Sequence, residues 1–192
     1  MGDADPARRT PPRSVEGPGW SLCGPLSAYS LRANLLDADN RLASAVSGMP
    51  VPGPALRLSL LPCRALAQSA WAALWLGPDE QLLVGPSDAG PTMAQRIEAA
   101  LEGLPHSLVD VSHRQSAIEV RGPRAPTMIN TACPLDLDLA AAPVGCCTRT
   151  VFAKAEIVLW RQAESCFQLQ TWRSFLPYVT GLLGLAAAEQ GR

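Results

Sequence analysis

The chain has 192 residues, 47% hydrophobic and 17% charged, enough apolar material for one compact domain or two small ones, which excludes wholesale disorder. Acidic and basic groups nearly cancel at a formal net charge of -1, removing the electrostatic footprint of a nucleic-acid binder or a polybasic membrane-surface protein. So small a net charge favours a chain that lives inside an assembly over a freely dispersed monomer.

Residues 1–24 carry Pro6, Pro11, Pro12 and Pro18 among scattered charges and read as a flexible Pro-rich tail. Arg8-Arg9 is followed by Thr10-Pro11-Pro12 where a twin-arginine signal would turn apolar. The longest apolar stretch, Tyr178 to Ala188, is interrupted by Thr180, Gly181 and Gly184 and is too short to span a bilayer. A cytoplasmic location, without membrane or nucleic-acid partners, is the expectation.

Beyond the tail the order of elements repeats, and the chain reads as α+β. In the first half, residues 25–106, Ala28 to Ala33 is a strand. Leu42, Ala45, Val46 and Met49 then recur at helical spacing. Trp71–Leu76 and Gln81–Val84 are apolar runs joined by Gly77-Pro78-Asp79-Glu80, a hairpin. A helix follows Gly90-Pro91, with Met93, Ile97, Ala100, Leu101 and Leu104 facing inward.

In the second half, residues 107–192, Ile118 and Val120 alternate with polar neighbours in a strand ending at Gly122-Pro123. A short helix carrying Met128 and Ile129 leads to Cys133-Pro134. Val151 to Trp160 is the longest strand region, and Phe167 and Leu169 alternate in the next strand. Ser174 caps a final helix with Phe175, Tyr178, Val179, Leu182 and Ala186 on one face. Each half thus reads strand, helix, strand, strand, helix. Leu31-Arg32-Ala33 matches Val120-Arg121-Gly122, and Leu74-Trp75 matches Leu159-Trp160. A duplicated unit with antiparallel sheets packed around a shared core follows.

Motifs for chemistry are sparse. Cys23, Cys63, Cys133, Cys146, Cys147 and Cys166 form no C-x-x-C, and His106 and His113 form no ladder with them. The cysteines therefore read as free, largely buried thiols rather than a zinc site or a disulfide framework. Gly17-Pro18-Gly19 follows no strand, and no P-loop is present. Asp110, Ser112 and His113 lie too close in sequence to converge as a triad. Asp136 and Asp138 read as a polar loop. An RNA-recognition sheet would need stacking aromatics and a basic groove, against 5% aromatics and a single lysine, Lys154. No catalytic, cofactor-binding or metal residue is assigned. Trp75, Trp160 and Trp172, in or beside strands and too many for one small core, are candidate interface anchors.

Several segments together resemble a known family. Leu76-Gly77-Pro78-Asp79-Glu80-Gln81-Leu82-Leu83, Val109-Asp110-Val111-Ser112-His113-Arg114 and Gly122-Pro123-Arg124-Ala125 are similar to stretches of the gamma subunit of heterotetrameric sarcosine oxidase. Cys133-Pro134-Leu135-Asp136-Leu137, the run Pro143 to Thr150, Val158-Leu159-Trp160-Arg161 and Arg173-Ser174-Phe175 continue the likeness in the same order. Asn130-Thr131-Ala132, Asp138 and Thr171-Trp172 depart from it. The resemblance implies an aminomethyltransferase (T-protein)-like fold and a non-catalytic accessory chain. Its partners would be the alpha, beta and delta subunits, which would hold FAD, FMN, NAD and tetrahydrofolate. The complex would oxidatively demethylate sarcosine to glycine, with hydrogen peroxide and formaldehyde or methylene-tetrahydrofolate. A stand-alone folate-binding or aminomethyl-transfer protein, and a non-metabolic cytosolic scaffold, are the alternatives.

Overall fold

The computed structural model describes residues 16–34 and 71–190; the helix read from Leu42 to Met49 and the turn-rich stretch after it lie outside them, as does Cys63. Among the described residues the strands form two antiparallel sheets. The larger is built from β1 (Glu16–Gly17), β2 (Trp20–Leu22), β7 (Gln115–Arg121), β8 (Cys147–Phe152), β9 (Ala155–Ala163) and β10 (Cys166–Trp172), in the order β1-β2-β7-β10-β9-β8. The smaller contains β3 (Leu26–Ala33), β4 (Ala72–Gly77), β5 (Glu80–Pro86) and β6 (His106–Asp110), in the order β4-β5-β3-β6. Among the described residues three helices accompany the sheets: α1 (Gly90–Ala100), α2 (Ala125–Asn130) and α3 (Leu176–Gln190), the last entered through a 3-10 turn at Arg173–Phe175.

Strand alternation sorts the apolar side chains into three cores, and these stack the elements in four layers. Ile157 and Leu159 of β9, with Ile118, Val120, Phe167 and Leu169, pack against Met128 and Ile129 of α2 and Leu176, Val179 and Leu183 of α3. Val158 and Trp160 point the opposite way, onto Ala28, Leu74, Leu82 and Val84 of the smaller sheet. The far face of that sheet, with Tyr29, Leu31, Ala73 and Leu83, is covered by Met93 and Ile97 of α1 and by Leu101. Buried on both faces, β9 reads as a continuous apolar run rather than an alternating one. Gly90 opens α1 where a Cβ would lie 2.2 Å from the Ser27 hydroxyl, so only glycine lets the helix approach β3.

The duplication appears in the registers. The order β4-β5-β3-β6 repeats as β9-β10-β7-β2. Leu31 pairs with Leu108 as Val120 pairs with Trp20. The Val111 amide donates to the Ala28 carbonyl and the Cys23 amide to the Ala117 carbonyl, both at 2.8 Å. Equivalent bulges interrupt both hairpins, between Trp75 and Gly77 and between Cys166 and Phe167.

The structure departs from five expectations. Trp160 corresponds to Leu74, and Trp75 to Arg161, so the Leu-Trp match is one residue out of step. A one-residue slip moves a side chain to the opposite face of its sheet. Each half also lends a strand to the other: β2 precedes β3 yet joins β7, and β6 precedes β7 yet joins β3. A division at 106/107 therefore cuts at the first residue of β6, a strand of the first half's sheet. Residues 16–22, read as tail, are β1 and β2, and Trp20 is buried in the core beneath α2 and α3. Pro18-Gly19, with Gly19 at φ 80, is the turn between them. The region Val151–Trp160 is a hairpin, not one strand, turning at Ala153-Lys154. No side-chain cap precedes the 3-10 turn into α3, so Ser174 is not the cap expected.

Candidate functional site

The exchanged strands leave two linkers near one another, Cys23–Pro25 between β2 and β3, and Val111–Arg114 between β6 and β7. Beside them lies a cleft of about 370 Å³, bordered by both sheets and within the size range of small-molecule sites. Val84 and Ala28 supply apolar lining, and Gln115, Gln170, Asp110 and Arg173 supply polar lining.

Hydrogen bonding decides which of these groups are available. The Ser112 hydroxyl accepts from the Ala28 amide at 2.9 Å and donates to the Ala28 carbonyl at 3.3 Å. The Ser112 amide in turn donates to Asp110 Oδ1 at 2.9 Å. Ser112 thus clamps the linker onto β3, and Asp110 closes an Asx turn instead of orienting His113. The sequence-adjacent trio does not form a relay. Gln170 Nε2 donates to Gln168 Oε1 at 3.0 Å between the sheets. Gln115 Oε1 is buried without a hydrogen-bond partner, the position in the cleft where a donor N–H or O–H is wanted.

Burial pushes the Cys23 thiol up, with the Gln168 hydrogen bond opposing. It also raises the Tyr29 hydroxyl, helped by the Asp110 carboxylate. Both stay protonated at neutral pH, and a protonated thiol is a poor nucleophile. Cys133, Cys146 and Cys147 are buried and Cys23 and Cys166 half-buried, all five as thiols rather than disulfides. Among the described residues no group of three His, Cys, Asp or Glu side chains is placed to hold a metal ion. Asp136 and Asp138 close successive Asx turns, accepting from the Asp138 and Ala140 amides.

The three tryptophans separate. Trp160 is 2% exposed between the sheets, so it packs the core and cannot anchor an external surface without unfolding. Trp75 is half-buried on the far face of the smaller sheet, and its carbonyl accepts a hydrogen bond from the Cys147 thiol at 3.4 Å. Trp172 is 41% exposed, with the Arg114 guanidinium 4.2 Å above its ring.

Two polar features escaped the sequence reading. Glu80, at the β4–β5 turn, accepts from Arg32 of β3 and Arg149 of β8, tying the two sheets together across their surface. Arg161 is 3% exposed and donates to the carbonyls of Leu137, Ala142 and Glu164, with its guanidinium 4.8 Å over the Phe167 ring. It holds the loop after Cys133 to the sheet edge. Neither pairing has a short-range signal in the sequence.

The architecture, a duplicated α+β unit with two packed antiparallel sheets, is that of the aminomethyltransferase class. The glycine cleavage system aminomethyltransferase T from Bartonella henselae superposes with a TM-score of 0.61 at 13% identity, over 86% of this chain and 47% of that one. A heterotetrameric sarcosine oxidase from Corynebacterium sp. U-96, solved with pyrrole 2-carboxylate, superposes better. Its TM-score is 0.77 at 25% identity, covering 92% of this chain and 88% of the matched chain. Residues 37–189 match the sarcosine oxidase gamma subunit family, and the chain belongs to that family. The sarcosine oxidase subunit gamma of Arthrobacter sp. is 38% identical over 106 residues, 55% of this chain and 49% of that protein. That of Corynebacterium sp. strain P-1 is 35% identical over 118 residues, 62% and 57% of the two chains. The chain spans about half the length of the curated relatives it matches.

Proposed function

We propose that this chain is the non-catalytic accessory, or gamma, subunit of a heterotetrameric sarcosine oxidase. The reaction is oxidative demethylation of sarcosine to glycine, yielding hydrogen peroxide and formaldehyde or methylene-tetrahydrofolate. On this reading FAD, FMN, NAD and tetrahydrofolate reside on the alpha, beta and delta subunits, and the complex works in the cytoplasm. The observation that carries the proposal is the family match over residues 37–189, joined to a fold shared along nearly the whole chain with a solved heterotetrameric oxidase. The cleft chemistry supports it: Ser112 is spent on the backbone of β3 and burial keeps the Cys23 thiol protonated.

The test is co-expression with the alpha, beta and delta subunits. The tagged chain is expected to co-purify with a yellow complex that turns over sarcosine, and alone to bind no flavin and oxidise nothing. His113→Ala and Asp136→Ala should leave turnover of the assembled complex within a few-fold. A loss on the order of a thousandfold with assembly intact would place a catalytic group on this chain and overturn the proposal.

A further inference from the structure

We infer that the outer face of α3 is the surface on which a larger subunit of the oxidase docks, presenting an apolar helix to it. The inference rests on the accessory-subunit reading. The expected inner face of this helix mixed two faces. Leu176, Val179, Leu183 and Ala187 pack inward at helical spacing. Tyr178, Gly181, Leu185 and Ala188 recur at the same spacing on the opposite side, and all four are exposed, Leu185 by 63%. From Leu176 to Ala188 the helix carries no charged side chain. A helix at a protein–water boundary normally puts its charges on the outer face, and one that is apolar all round is built to be covered on both sides.

The local shape fits a helix. A Cβ added at Gly181 or Gly184 would meet nothing within 4 Å, so the helix surface is open between Tyr178 and Leu185 and a second helix can come close. The apolar surface continues back along the chain through Phe175, 38% exposed, to Trp172 under the Arg114 guanidinium.

Area selects the occupant. With about 200 Å² for a fully exposed aromatic side chain, Trp172, Phe175, Tyr178 and Leu185 leave on the order of 350 Å² open. A second copy crossing α3 on α3 would bury roughly twice that, short of the ~1,200 Å² at which specific interfaces become stable. A larger subunit reaching beyond these four side chains to the cleft rim at Arg173 has no such limit. The stripe then forms the apolar centre of a wider interface.

The experiment uses the full chain co-expressed with the other three subunits. Gly181→Leu fills the open space and Leu185→Asp places a charge in the stripe; Val109→Asp, on the exposed edge of β6, is the control. Both stripe variants are expected to keep the circular dichroism and melting temperature of the parent chain while recovery in the complex falls at least tenfold. Val109→Asp should assemble normally. Normal assembly of both stripe variants, alongside a parent chain that assembles, would overturn the docking face and leave the accessory role standing. Failure of the parent chain to assemble would instead remove the accessory role itself, and the docking face with it. An isolated chain that is dimeric by light scattering, and that Leu185→Asp makes monomeric, would assign the stripe to a second copy and overturn the inference.

Discussion

Trp20→Ala tests whether residues 16–22 are tail or core. The indole is 7% exposed and packs in the cluster beneath α2 and α3. The indole lies over Gly17, where a Cβ would fall 2.5 Å from Nε1, so β1 and β2 are shaped around it. Burying an aromatic side chain removes about 150–250 Å² from water, about 4–6 kcal/mol at the usual coefficient and an upper bound. Against this, Trp20 Nε1 is buried without a partner, and truncation relieves that cost of about 1–3 kcal/mol. The net expectation is a loss of about 3 kcal/mol, at the low end of large-to-small core substitutions. For a chain of this size that lowers the melting temperature by about 6–12 °C. Urea unfolding followed by far-ultraviolet circular dichroism, with m unchanged, gives the difference directly. Trp20→Phe should lose less, since it keeps an aromatic ring and discards the unpaired N–H. Trp172→Ala, truncating an exposed side chain, should cost under about 1 kcal/mol. A Trp20→Ala midpoint indistinguishable from the parent would refute the assignment of β2 to the core.

Arg161→Ala should cost about 3 kcal/mol or more, because the buried carbonyls of Leu137 and Ala142 both lose their donor; limited proteolysis should then cut first in the 135–146 loop. His106 titrates above the ordinary imidazole value, held up first by the Leu104 carbonyl on Nδ1 and then by Glu98 on Nε2. A raised folded-state pKa gives stability that is full below about 6.5 and lost as pH rises through the folded value, so the unfolding midpoint should fall over that window. Proton NMR titration should find Glu98→Gln removing only part of the upward shift, because the carbonyl remains. Ala153 holds φ 51 in the two-residue β8–β9 turn, and Ala153→Gly should be neutral or raise stability by up to about 1 kcal/mol in thermal unfolding.

What the sequence by itself determined is whatever depends on neighbours along the chain. The β4–β5 hairpin was legible from Gly77-Pro78-Asp79-Glu80 between apolar runs, and α1 from the spacing of Met93, Ile97 and Leu101 behind Pro91. The family was legible too, because ordered motifs from Leu76 to Phe175 survive as a set. That Asp110, Ser112 and His113 lie too close along the chain to converge as a triad was likewise an expectation of the sequence, and the structure adds that Ser112 bonds to the Ala28 backbone and Asp110 to the Ser112 amide. What only the tertiary structure decided is which partner each segment meets. β2 is three residues after a Pro-Gly turn, with too little pattern to show that it leaves its own half for β7, and β6 makes the reciprocal move to β3. Trp75 and Trp160 sit in similar local strings, yet a one-residue difference in register sends one to the outer face and the other between the sheets. In α3 the periodicity allows two apolar faces, and nothing local chooses between them. The choice comes from the larger sheet, which takes Leu176, Val179 and Leu183 and leaves Tyr178 and Leu185 outside. Pattern reports which side chains can be buried, but burial itself is a property of surfaces brought together from distant parts of the chain.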